Sequence, residues 1–216
     1  MRKGLFIAAK RDNKKVQSAG AWASQDPDVQ LMLEFKAGRA EAFDELVERN
    51  TPKVHALVLR FLGDQGQVED LAQEVFLRVY RTAARYEPSA KFTTWLYRIA
   101  ANLSFNVLRS RKKAQVRQLR TAESDDSDSF TEDVPDDRHL PPHERLDQEE
   151  LRQKIAAAIQ DLPENQRVAI VLNKYEDKSY EEIAEVLDCS TMAVKSLLSR
   201  ARMNLKSVLQ RYVQKG

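Results

Sequence analysis

Residues 123 to 147 carry ten acidic side chains against two arginines, and this run constrains how the rest of the chain folds. The segment TAESDDSDSFTEDVPDDRHLPPHERLDQ is rich in Ser and Pro and nearly free of large apolar groups. It cannot bury enough surface to offset the entropy of ordering it, so it reads as a linker. The 216-residue chain is thereby split in two, each part near the lower size limit for a hydrophobic core. HLPPH beside Asp136 and Asp137 has metal-ligating residue types, but its prolines and setting make a solvated segment the simpler reading.

Ahead of the linker the apolar spacing is helical. Asp26 predicts a cap with Pro27 in the first turn of a helix that stops at Gly38. A second helix starts near Ala40, with Pro52 expected at a kink or helix junction, and breaks at Gly63 to Gly66. Asp64 to Arg85 predicts a third, with Val68, Leu71, Val75, Phe76, Val79 and Ala83 facing a core and Asp70, Gln73, Glu74, Leu77, Arg78 and Arg81 left outside. Pro88 then forces a turn into Lys91 to Lys113. There Leu96, Ala100, Leu103 and Val107 form an apolar face, while Arg98, Asn102, Asn106 and Arg109 gather on another with Trp95 among them. Arg and Lys neutralise phosphates, Asn pairs with base edges and an indole stacks on a base; the competing reading folds Trp95 back into the core.

Beyond the linker, Leu151 to Ile159 is amphipathic and Pro163 opens a helix through about Lys174. Ser179 and Glu182 have the spacing of a capping box, and Cys189 with Ser190 gives a tight turn into a long helix from Thr191. This is a helix-turn-helix pattern. Small Ala184 allows close approach, Val194, Leu197, Leu198, Ala201 and Leu205 face inward, and Lys195, Ser196, Ser199 and Arg202 stand opposite with Arg200 at the border.

The formal net charge of +2 conceals a strong segregation. Residues 88 to 122 carry eight Lys or Arg and residues 189 to 216 carry six, with no acid in either block. The flanking segments 26 to 87 and 148 to 188 are acidic at net −4 and −5. Two basic surfaces in acidic surroundings suit two separate polyanion contacts. A single Cys189 excludes an intramolecular disulfide, and with three His it shows no metal-binding spacing, so neither metal nor cofactor is expected. The lone cysteine makes a reducing, cytoplasmic setting the default, and since no apolar run approaches the roughly twenty residues of a membrane span the protein is expected to be soluble.

DLAQEVFLRVYR at 70 to 81, FTTWLYRIAANLSFNVLRSRKK at 92 to 113 and LPENQRVAIVLNKYEDKSYEEIAEVLDCSTMAVKSLLSRAR at 162 to 202 closely resemble the bacterial extracytoplasmic-function sigma factors of RNA polymerase. The resemblance implies an all-α chain of two small helical domains joined by an acidic flexible linker, the second a four-helix domain with the helix-turn-helix. Residues 1–25, basic and without a sustained period, read as a mobile arm with no counterpart in the family pattern, and the resemblance places the minus-10 and polymerase-binding region at 26–113. The linker follows at 114–147 and the minus-35 region at 148–213.

Carried over by position, Asp70, Gln73 and Glu74 would meet the beta-prime clamp helices of core RNA polymerase. Tyr86 to Phe92, including Lys91, would capture a flipped minus-10 base; Trp95, Arg98, Asn102, Asn106 and Arg109 would face promoter DNA around the melted step. Lys195, Ser196, Ser199 and Arg200 would meet the minus-35 element. An anti-sigma factor is a further implied partner. Asp188 departs from the Gly often found in that turn. The alternative is a stand-alone helix-turn-helix transcriptional regulator that needs no polymerase; an enzyme would need clustered carboxylates or an activated nucleophile, and the acid-free blocks supply neither.

Overall fold

The computed structural model describes residues 25–121 and 142–213, and all regular structure among them is helical. Nearly all of the expected basic arm, and the middle of the expected linker, lie outside these residues.

Helix α1 (Pro27–Lys36) starts as its sequence predicts: the Asp26 carboxylate accepts from the backbone N–H of Asp28 at 3.0 Å and of Val29 at 3.4 Å. The second oxygen of the same carboxylate accepts from Phe92 N at 3.2 Å, the first amide of α4 (Phe92–Thr121). One side chain therefore caps two helices 66 residues apart and sets how α4 meets α1. Asp26→Ala is expected to cost about 1–2 kcal/mol, since it orphans donors at both termini. Urea unfolding at unchanged slope checks this, and a loss below a few tenths of a kcal/mol would reject the double-cap role.

Helix α2 (Glu41–Leu62) continues through Pro52, so the proline does not stand at a helix junction. The turn before the proline is supported by neighbouring side chains, Asn50 Nδ2 donating to Leu46 O at 2.9 Å and Thr51 Oγ1 to Val47 O at 2.8 Å. Helix α3 (Val68–Thr82) buries the side chains its period selects, and α4 lays Phe92, Leu96, Tyr97, Ala100 and Ala101 across α2 and α3.

The carboxy-terminal half comprises α5 (Pro142–Gln160), α6 (Glu164–Lys174), α7 (Tyr180–Leu187) and α8 (Thr191–Val213). Helices α4 and α5 extend into both ends of the segment expected to be linker, because AQVRQLR consists, Val116 apart, of good helix formers and Pro142 suits a first helical position. Residues 166 to 172 of α6 are all buried, with α7 and α8 on one side and α2 on another.

The two halves are packed together. Helix α2 ends at Gly63 in the left-handed conformation (φ 68°), and its last carbonyls are satisfied from the other half. Gln160 Nε2 donates to Arg60 O at 2.8 Å, and the buried Arg167 guanidinium donates to Phe61 O at 2.7 Å and Gln160 Oε1 at 2.8 Å. Arg167 also reaches the carbonyls of Gln160 and Leu162, tying the end of α5 to the end of α2.

Candidate nucleic-acid and polymerase interfaces

Helix α7 opens with the predicted capping box: Ser179 Oγ accepts from Glu182 N at 3.2 Å, and Glu182 Oε2 accepts from Ser179 N at 2.9 Å. It closes on Asp188, left-handed at φ 50°, where a Gly would be unstrained. Cys189 N donates to Ala184 O at 3.0 Å, and Ser190 Oγ accepts from Ala193 N at 3.2 Å to start α8. Burial raises the Cys189 thiol above its ordinary range, with the Asp188 carboxylate adding to the effect, so it stays protonated at neutral pH. Val194, Leu198 and Ala201 are fully buried, fixing the rotation of α8. Lys195, Ser196, Ser199 and Arg200 consequently all face solvent.

On α4, Asn102, Asn106 and Arg109 are exposed and Arg98 is half-buried, forming one polar stripe. Trp95 is half-buried at the edge of that stripe, its ring centroid 4.9 Å from Tyr86 and 5.8 Å from Phe92. The indole thus combines both sequence readings, with part in an aromatic cluster and part open. Phe92 requires a correction: it is 0% exposed, so its side chain is the floor of this cluster and cannot meet DNA in this conformation. Tyr86 is 4% exposed, its hydroxyl raised far above the usual phenol range by burial and then by Asp26 and Asp28. Between these two anchors, Glu87, Ser89 and Lys91 are exposed on the loop.

Contacts with the carboxy-terminal half engage the margins of α4. Tyr97 Oη donates to Glu176 at 2.5 Å and Lys178 Nζ to Thr93 Oγ1 at 2.8 Å, while Lys91 pairs with Glu182 at 3.1 Å and Arg109 with Glu164 at 3.8 Å. Burial pulls the Lys178 ammonium below its ordinary range, with Glu182 opposing that shift. Sequence reading missed Tyr97, Arg167, Glu176 and Lys178 as a group, because no local period links residues about eighty positions apart.

Asp70 and Gln73 are exposed on α3 and Glu74 is half-buried beside them. Gln73 Nε2 donates to Glu69 at 3.1 Å, and Glu74 pairs with Arg78 at 3.2 Å. Next to this polar strip, α2 and α3 enclose a groove of about 680 Å³ lined by Phe43, Val47, Phe76, Leu77 and Tyr80. Leu77 is 48% and Tyr80 56% exposed at its edge. Tyr80 was not singled out from sequence; its place one turn beyond Leu77 on the outer face was the available signal.

Among the described residues no cluster of His, Cys, Asp or Glu could hold a metal ion, and no helix is long and apolar enough to cross a membrane. The site is a set of surfaces. Two helical halves, one bearing an exposed polar stripe of Arg and Asn and the other a helix-turn-helix with a basic outer face, define a bipartite DNA-binding transcription protein.

Comparison with known proteins makes the assignment specific. Residues 46–114 match Sigma-70 region 2 and residues 152–205 match Sigma-70, region 4. The chain is 35% identical over 187 residues to the RNA polymerase sigma-H factor of Pseudomonas aeruginosa, covering 87% of this chain and 96% of that protein. It is 34% identical over 195 residues to the ECF RNA polymerase sigma-E factor of Escherichia coli, covering 89% and 100%. The sigma factor RpoE of Bartonella quintana, solved in complex with the anti-sigma factor NepR, shares the fold at a TM-score of 0.58 and 22% identity, over 78% of this chain and 96% of that one. The chain belongs to the sigma-70 family of RNA polymerase sigma factors, in its extracytoplasmic-function group. Members of this family bind core RNA polymerase and direct it to promoters, and that is the function of this protein.

Proposed function

We propose a division of labour among three surfaces, with the protein acting by binding and not by catalysis. Helix α8 enters the minus-35 major groove through Lys195, Ser196, Ser199 and Arg200. The exposed stripe of α4, from Arg98 to Arg109 with Trp95 and the Lys91 loop, holds the minus-10 strand once it opens. Asp70, Gln73 and Glu74 dock on the clamp helices of core polymerase, with Leu77 and Tyr80 adding apolar contact. The observation that carries the reading is the exposure of both polar faces on helices whose opposite sides are locked into cores.

The packed arrangement must open for this to work. Elements centred near minus-10 and minus-35 lie about 85 Å apart on B-form DNA, at 3.4 Å per base pair. Two halves joined through Arg167, Gln160 and Tyr97 do not span that distance, so promoter binding exchanges those contacts for DNA and polymerase. An anti-sigma factor, the kind of partner that the Bartonella quintana protein binds, is proposed as a further ligand of this chain.

Run-off transcription with core polymerase and a promoter library tests the whole reading. Transcripts from templates sharing two motifs at constant spacing are expected; activity independent of one motif removes the role of the corresponding helix. Asp70→Ala with Gln73→Ala is expected to weaken binding to core polymerase by about tenfold, while melting temperature stays unchanged because both side chains are exposed. Equal core affinity of variant and parent, measured by titration, would remove the docking role of α3.

A further inference from the structure

Met192 is 71% exposed, the most open of the large apolar side chains among the described residues. Its position on α8 is specific. At about 100° per residue, Met192 falls in the middle of the arc bordered by Lys195 and Arg200, in line with Ser196 and Ser199 and opposite buried Ala201. It stands in the first turn, immediately after the Ser190 cap, and the first turns of a recognition helix are the ones that reach base edges. Of the groups lining the major groove, the thymine C5 methyl is the apolar one. Cytosine instead presents an amino donor that a thioether satisfies poorly. An unbranched, flexible Met side chain adapts readily to such a contact.

We infer that Met192 is a specificity-determining residue that reads a thymine of the minus-35 element through its C5 methyl group. The inference rests on the proposed placement of α8 in the minus-35 groove. It adds an apolar reader between the two basic side chains, and it makes one position of the element selective against cytosine.

The test uses the full chain with core polymerase and duplexes in which each minus-35 thymine in turn is replaced by deoxyuracil, removing only the methyl. At one position the parent protein is expected to lose about fourfold in affinity, the equivalent of one buried methyl, and Met192→Ala is expected to bind both duplexes equally. Circular dichroism should show both proteins equally folded, since the side chain is exposed. The inference is overturned if the parent is indifferent to every replacement, or if Met192→Ala keeps the parent's sensitivity. In either case, a binding loss in Lys195→Ala leaves the placement of α8 standing. If Lys195→Ala and Arg200→Ala also bind the minus-35 duplex normally, the placement itself fails and the inference fails with it.

Discussion

Lys195→Ala combined with Arg200→Ala is expected to abolish measurable minus-35 recognition, at a cost of about 2–6 kcal/mol if each side chain holds a base edge at about 1–3 kcal/mol. The expectation follows from position. Val194 and Leu198, adjacent to these residues, are 0% exposed and fix the rotation of α8, so both cations project outward from a helix without acids. Folding should be untouched, because both side chains are exposed. Titrations at several salt concentrations separate the two possible roles. A phosphate contact lowers affinity on all sequences alike and makes the salt slope shallower by about one per cation, whereas a base contact relaxes preference at one position. Promoter binding equal to the parent's at every salt concentration would rule out α8 as the minus-35 reader.

Arg167→Ala should give the largest loss of stability of any single change in the seam, about 3 kcal/mol. Arg167 is 9% exposed and its guanidinium supplies donors to Phe61 O, Gln160 O, Leu162 O and Gln160 Oε1; its removal leaves those acceptors in the seam without them. Burial pulls the guanidinium below its ordinary pKa, with Glu164 and Asp161 opposing that shift, so the group is held by its acceptors against a desolvation cost. Arg167→Lys keeps the charge but loses the planar fork, and should recover only part of the stability. Denaturant unfolding measures both variants. A loss below 1 kcal/mol for the Ala variant would show that water replaces the guanidinium and that the seam does not depend on it.

The elements most legible in the sequence were those governed by local chemistry. The core positions of α3, the Ser179–Glu182 box and the inward face of α8 depend on residues within a few positions of one another, where helical period and capping geometry suffice. The acid-free blocks likewise marked the two basic surfaces proposed to meet DNA, because charge segregation survives any packing of the helices.

Other features were invisible to that reasoning. Periodicity assigns a side chain a direction on its helix but does not say what covers that direction. Phe92 stood beside a basic stripe in sequence, yet Tyr86 and Trp95 close over it. Pro52 suggested a kink or a helix junction, yet the helix continues through it, with the side chains of Asn50 and Thr51 bonded to the carbonyls of Leu46 and Val47 one turn back. Asp26 was legible as a cap for the helix that follows it, and its second role at Phe92 was not.

The sequence by itself therefore determined the helices, their apolar faces, the two basic surfaces and the family. Only the tertiary structure decided that the halves close on each other, through Arg167 on the end of α2 and through Tyr97 and Lys178 between α4 and the loop leading into α7. Those contacts join residues 79 to 106 positions apart, and at that separation a pairing is set by which surfaces meet in space and not by the local order of side chains.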